Sequence, residues 1–118
     1  MNYGKVIFVF GSNLAGRHGK GAALVAVKQY GAKYGIGEGL QGHSYALPTK
    51  DENLVTLTAD QVQMAVSRFI TFAYENPSYL FYFTAVGQGL AGYTRSEIIN
   101  LLPEELPYNV VFTKDWVS

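Results

Sequence analysis

The 118-residue chain contains no cysteine. Disulfide frameworks, thiolate metal sites and cysteine nucleophiles are therefore excluded, while the redox compartment stays open. It also lacks any run of 18 apolar residues, so no segment has the length and character of a membrane-spanning helix. Neither sign of charge is in excess: nine Lys and Arg face nine Asp and Glu. No global positive field is available to hold a nucleic-acid backbone. Two histidines, without cysteine or a close carboxylate pair, make a poor metal site, and no metal or cofactor is expected. Met1-Asn2-Tyr3-Gly4-Lys5 runs straight into a β-prone stretch and has no signal-peptide shape, so a cytoplasmic location is expected.

A 48% hydrophobic content against 15% charge excludes a disordered chain. The length fits one domain, residues 1–118, able to bury about two-thirds of its unfolded surface. Glycine is abundant instead, with 13 residues unevenly placed. Val6 to Phe10 is apolar throughout and reads as a central strand of a covered sheet. A loop with four glycines follows, Gly11 to Gly21. Ala22 to Tyr34 reads as a helix whose small face (Ala22, Ala23, Ala26) implies close packing. Gly35, Gly37, Gly39 and Gly42 form a second cluster. Ser44 to Leu47 reads as a strand stopped by Pro48, and 49–53 as a polar bend.

Thr58 and Gln61 form a capping box, and Leu57 with Val62 a hydrophobic staple. Val62, Ala65, Val66, Phe69, Ile70 and Ala73 then recur on one helical face, up to Asn76-Pro77. Tyr79 to Val86 reads as another inner strand, and Gly87 to Tyr93 as a further glycine loop. Thr94 and Glu97 cap a short helix through Leu102, and Val110 to Phe112 is a last strand. This alternation implies an α/β fold with a largely parallel sheet and helices on both faces.

Strand, glycine loop and helix occur together twice, over 6–34 and 79–102. Ligands of open α/β sheets bind at the carboxyl ends of strands. Glycine there lets backbone N–H groups come close, and a helix N-terminus adds free donors and partial positive charge. The pair suits a phosphate or diphosphate; two merely tight turns are the plain alternative. A Walker A loop fails, because Gly21 follows Gly19-Lys20 and Leu14 stands where the first glycine belongs. Gly87-Gln88-Gly89-Leu90-Ala91-Gly92 matches the dinucleotide fingerprint in letters, but too little chain follows for a full mononucleotide fold. Arg17, His18 and Lys20 offer a charged rim, with His18 a candidate acid or base and solvated loop charge the alternative. His43 reads as structural. Lys50 and Asp51 follow Pro48-Thr49 either as ligand-facing groups or as a surface turn. Asn13 suits a sugar hydroxyl or its own turn. Tyr93 is the candidate aromatic platform; Tyr30, Tyr34, Tyr74, Tyr79 and Tyr82 read as packing.

The run Asn13-Leu14-Ala15-Gly16-Arg17-His18-Gly19-Lys20-Gly21-Ala22-Ala23 after a central strand resembles the first ligand loop of macrodomains. Gly87-Gln88-Gly89-Leu90-Ala91-Gly92-Tyr93 between a strand and a helix resembles their phosphate-holding loop. The resemblance covers about residues 6–113, in element order and loops rather than close identity. It implies a three-layer α/β/α fold with a mixed, largely parallel sheet. It also implies a pocket for ADP-ribose or a related NAD-derived nucleotide. Gly11, Ser12, Asn13, Leu14, Gly19, Lys20, Gly21 and Ala22 would form one wall. Thr49, Val86, Gly87, Gln88, Gly89, Leu90, Ala91, Gly92 and Tyr93 would form the other.

Leu47-Pro48-Thr49-Lys50 is similar to the motif of the terminal ADP-ribose glycohydrolase branch, whose lysine attacks the ribose. That branch carries an aspartate where Ala91 stands here, so Lys50 and Asp51 are the catalytic candidates with the pair incomplete. Many macrodomains read adenine with an aspartate just before the first ligand strand; no such contact is expected from Met1 to Lys5, which leaves the base open. A compact member of this kind fits a phage or mobile-element protein. Three functions stay open: a binder of ADP-ribose or of ADP-ribosylated macromolecules, an ADP-ribosyl hydrolase, and a protein-interaction domain with structural glycine loops. The oligomeric state is not legible.

Overall fold

The computed structural model describes residues 3–116. The elements are β1 (Lys5–Asn13), α1 (Gly21–Gln29), β2 (Gly39–Gln41), β3 (Ser44–Lys50), α2 (Ala59–Glu75), β4 (Tyr79–Phe83), α3 (Arg95–Ile99) and β5 (Val110–Phe112). A one-turn 3-10 helix, Lys114–Trp116, ends the described chain. The strands form one five-stranded sheet in the order β2-β3-β1-β4-β5. β1 pairs in parallel with β3 and β4, and β4 with β5. Only β2 runs antiparallel, against β3. The sheet is mixed and mostly parallel, with β1 at its centre, as the unbroken apolar run of 6–10 implies.

Successive strand residues face opposite sides. Ile7 and Val9 therefore look one way and Phe10 the other. On the first side, α2 and α3 close a core of Phe69, Phe81, Phe83, Val62, Val66 and Ile98. Phe69 is fully buried and packs its ring against Tyr45, Phe81 and Phe83. On the second side, α1 lies on Phe10 and Ala46 through Ala23 and Ala26. This is a three-layer α/β/α arrangement. The α1 layer covers only the β1–β3 half, and Val6, Tyr82 and Val111 on the same face are partly exposed.

Both capping boxes form, at Thr58 with Gln61 and at Thr94 with Glu97. Leu57 and Val62, the two ends of the expected staple, are buried in one cluster. Several boundaries differ from expectation. The first helix ends at Gln29 rather than Tyr34, because Gly31 turns into the left-handed region (φ 76°) and packs against Gly42. Strand β3 passes through Pro48 to Lys50. β2 pairs with β3 only as far as Ala46, so the missing N–H of Pro48 costs no ladder bond. β4 ends at Phe83, where the Thr84 hydroxyl donates to the Val9 carbonyl at 2.6 Å. α3 stops at Ile99 and relaxes into i→i+3 turns through Leu102. Among the described residues no helix is long and apolar enough to cross a membrane.

Candidate functional site

Parallel strands β3, β1 and β4 end on the same edge of the sheet, and the loops after them enclose a cavity of about 670 Å³. That is the size range of small-molecule sites. Its floor is Gly11, Ser12 and Asn13 at the end of β1. A Cβ on Gly11 would lie 3.2 Å from the Gly87 nitrogen, so bare backbone lets the second glycine loop rest on β1. Gly19, Lys20, Gly21 and Ala22 bring the start of α1 to the cavity. Thr49 and Lys50 arrive from β3. Val86, Gly87, Gly89, Leu90 and Ala91 arrive from the loop after β4.

The start of α1 differs from those of α2 and α3. Lys20 occupies its N-cap position and makes no side-chain capping bond. The first N–H groups of α1 therefore lack the closure that Thr58 and Thr94 give the other two helices. Gly21, Ala22 and Ala23, the first residues of α1, line the cavity together with Arg17, Lys20 and Lys50. Among the described residues the ion pair is Arg68 with Glu38, and none of these three cations takes part in one. The one carboxylate on the wall, Asp115, lies beyond β5; it accepts from the Ala85 N–H at 3.1 Å and from the Thr113 hydroxyl.

Asn13 lies on the floor with its amide already engaged in its own loop. Its Nδ2 donates to the Arg17 carbonyl at 2.9 Å, and its Oδ1 accepts from the Arg17 N–H at 3.0 Å. His18 is fully buried, with Nε2 donating to the Ile36 carbonyl at 3.0 Å and its ring edge-on to Phe10. It anchors the first loop to the second glycine cluster and stands off the cavity wall. Gly16 and Gly37 complete that junction, since a Cβ on either would collide with backbone of the opposite segment. Four of the chain's glycines thus serve packing between loops rather than a ligand: Gly16 and Gly37, with Gly31 and Gly42 beside them.

Leu14, Asp51, Gln88, Gly92 and Tyr93, all expected at the ligand, are not on the cavity wall. Oδ1 of Asp51 accepts from the N–H groups of Asn53 (2.8 Å) and Val55 (3.0 Å), which makes it a turn-former. Tyr93 packs against the core and donates its hydroxyl to the Leu57 carbonyl. Burial raises its phenol above the ordinary range, with the Glu97 carboxylate adding to the effect. It braces the loop and offers no platform. Leu14 is exposed outside the cavity, and Gly92 adopts the left-handed turn that closes onto the Gly89 carbonyl. His43 is exposed and contributes only backbone bonds, to Tyr30 and Phe8.

The cavity also recruits residues that sequence reasoning missed: Ala23, Tyr34, Leu54, Thr84, Ala85 and Asp115. Tyr34, read as packing, is 62% exposed at the rim because α1 ends before reaching it. Asp115 was findable, since it follows a parallel strand at the carboxyl edge of the sheet. Leu54 carried no such signal.

No family model matches the chain, and no curated protein matches it. A solved structure of a protein of unknown function from Bacteroides thetaiotaomicron is similar, with a TM-score of 0.65 and 16% identity. The match covers 96% of this chain and 90% of that one. At that identity the likeness speaks for the fold alone.

Proposed function

We propose that the chain is a compact macrodomain-like protein that binds ADP-ribose or a related NAD-derived nucleotide, free or attached to a macromolecule. The observation that carries this reading is the uncapped start of α1, opening onto a glycine-walled cavity with Arg17, Lys20 and Lys50. Unclosed helix N–H groups and the helix dipole favour an anion, each such interaction contributing roughly 0.3–1 kcal/mol. Backbone donors from both loops would hold the diphosphate, with the second ribose toward Lys50. A cytoplasmic site of action belongs to the same proposal.

A hydrolase acting through Lys50 is the second reading. Its support is the position of Lys50 on the cavity wall at the end of β3. Against it, Ala91 supplies no carboxylate, and the Asp51 carboxylate is engaged in its own turn. Binding without turnover is therefore the favoured form.

The test is calorimetric titration with ADP-ribose, with AMP and NAD as controls. One-site binding of ADP-ribose is expected, and it should be lost in Gly89→Glu. A Cβ at Gly89, on the cavity wall, meets nothing within 4 Å, so the fold should survive the substitution while the glutamate obstructs the cavity. Absence of heat with all three ligands overturns the assignment. Release of ADP-ribose by the wild-type protein, abolished by Lys50→Ala, would replace the binding reading with the hydrolase.

A further inference from the structure

Leu54 is the one non-glycine residue with positive φ among the described residues (φ 64°). Left-handed backbone brings Cβ against the neighbouring carbonyl, and leucine has no polar side chain to offset this locally. Glycine or asparagine is the ordinary occupant. Nor does burial account for the leucine, since Leu54 is 42% exposed.

The turn around it is heavily tied. The Asp51 N–H donates to the Val55 carbonyl at 2.7 Å, and the Leu54 N–H to the Asp51 carbonyl at 3.1 Å. The Asp51 carboxylate holds Asn53 and Val55, and Lys50 bridges to Thr56. Thr56 then donates its hydroxyl to the Ala91 carbonyl at 2.8 Å, joining this turn to the loop after β4. On that loop Leu90 is 75% exposed, between Gly89 and Ala91. Both leucines are on the cavity wall, in two loops joined through Thr56, and Leu54 lies four residues beyond Lys50. An unfavourable backbone, an exposed apolar side chain and a rigid mount are explained together if the side chain has a ligand to touch.

We propose that Leu54 and Leu90 form an apolar clip for the carbon-bearing face of the sugar at the Lys50 end of the cavity. The left-handed turn is kept, against local preference, for that contact. This rests on the nucleotide-sugar reading above and names two residues that would distinguish a diphosphate carrying a second sugar from one without it.

Leu54→Asn keeps a residue tolerant of the turn and removes the apolar contact. Leu90→Ser does the same at a site exposed enough to leave folding untouched. The probes are ADP-ribose and ADP, which lacks the second sugar, titrated calorimetrically beside thermal unfolding of the ligand-free proteins. ADP-ribose should bind each variant about tenfold more weakly. ADP affinity should fall by a clearly smaller factor than ADP-ribose affinity in both variants, and an equal loss for the two probes would overturn the clip. The melting temperature of Leu54→Asn should equal or exceed that of wild type, which a merely structural leucine would not allow. Wild-type affinity for ADP-ribose in both variants overturns the clip while leaving the nucleotide reading standing. If wild type binds neither probe, the nucleotide reading falls, and the clip falls with it.

Discussion

The two faces of the sheet are built differently. On one, a 17-residue helix with a complete capping box lays Phe69 on Tyr45, Phe81 and Phe83. On the other, a nine-residue helix with no side-chain cap lies on Phe10 and Ala46 through two alanines. Large buried rings contribute most of the apolar burial, and alanines contribute little. Small side chains do something else: they let the helix axis approach the strands, so that its first turn reaches the strand ends. Apolar burial is concentrated on the α2 face, while the α1 face carries the helix start that lines the cavity.

The largest effect expected from this contrast is at Phe69. Phe69→Ala leaves a cavity among the rings of Tyr45, Phe81 and Phe83 and should cost about 3–5 kcal/mol, read from the denaturation midpoint. A loss under 1 kcal/mol would mean that the stability is spread over both faces. Next is Ala26→Leu, on the thin side. Overpacking there should cost about 1–3 kcal/mol and lift α1 from the sheet, so ADP-ribose affinity should fall along with the melting temperature. Unchanged affinity would separate the helix position from the site. Smallest in energy is Lys20→Asp, which offers α1 the cap it lacks. Thermal unfolding should show a gain of about 1 kcal/mol in the ligand-free protein, and calorimetry a weaker diphosphate interaction. Loss of both would show that Lys20 is structural.

The α2 face was the more legible in the sequence. Its helix has an apolar stripe and a reciprocal cap, which are local signals, and both Thr58-Gln61 and Thr94-Glu97 form as expected. The α1 side depends on contacts between distant segments. Gly31 ends the helix where alanine and lysine around it suggest continuation, because its neighbour in space is Gly42. β2 is three residues long and exists through pairing with β3, so no periodicity announces it. Pro48 stays in its strand because the adjacent strand is short. In the site, the residues that the glycine pattern marks directly, such as Gly19, Gly21 and Gly89, reach the cavity. Tyr93 and Asp51 do not, since an aromatic in a loop or a carboxylate after a strand has the same spelling whether it braces or binds. Leu54 was illegible for a further reason: its signal is a backbone angle.

The interlocking of the first loop with the second glycine cluster bears on modularity. Gly16 and Gly37 each lie flush against the other segment's main chain, and the Gly35 N–H donates to the Gly16 carbonyl at 2.9 Å. The buried imidazole of His18 bolts the same two segments together. Residues 11–21 are thus half of a two-piece part. A graft of that loop onto another scaffold would have to carry residues 31–42 with it, and shuffling that separates the two pieces would break both.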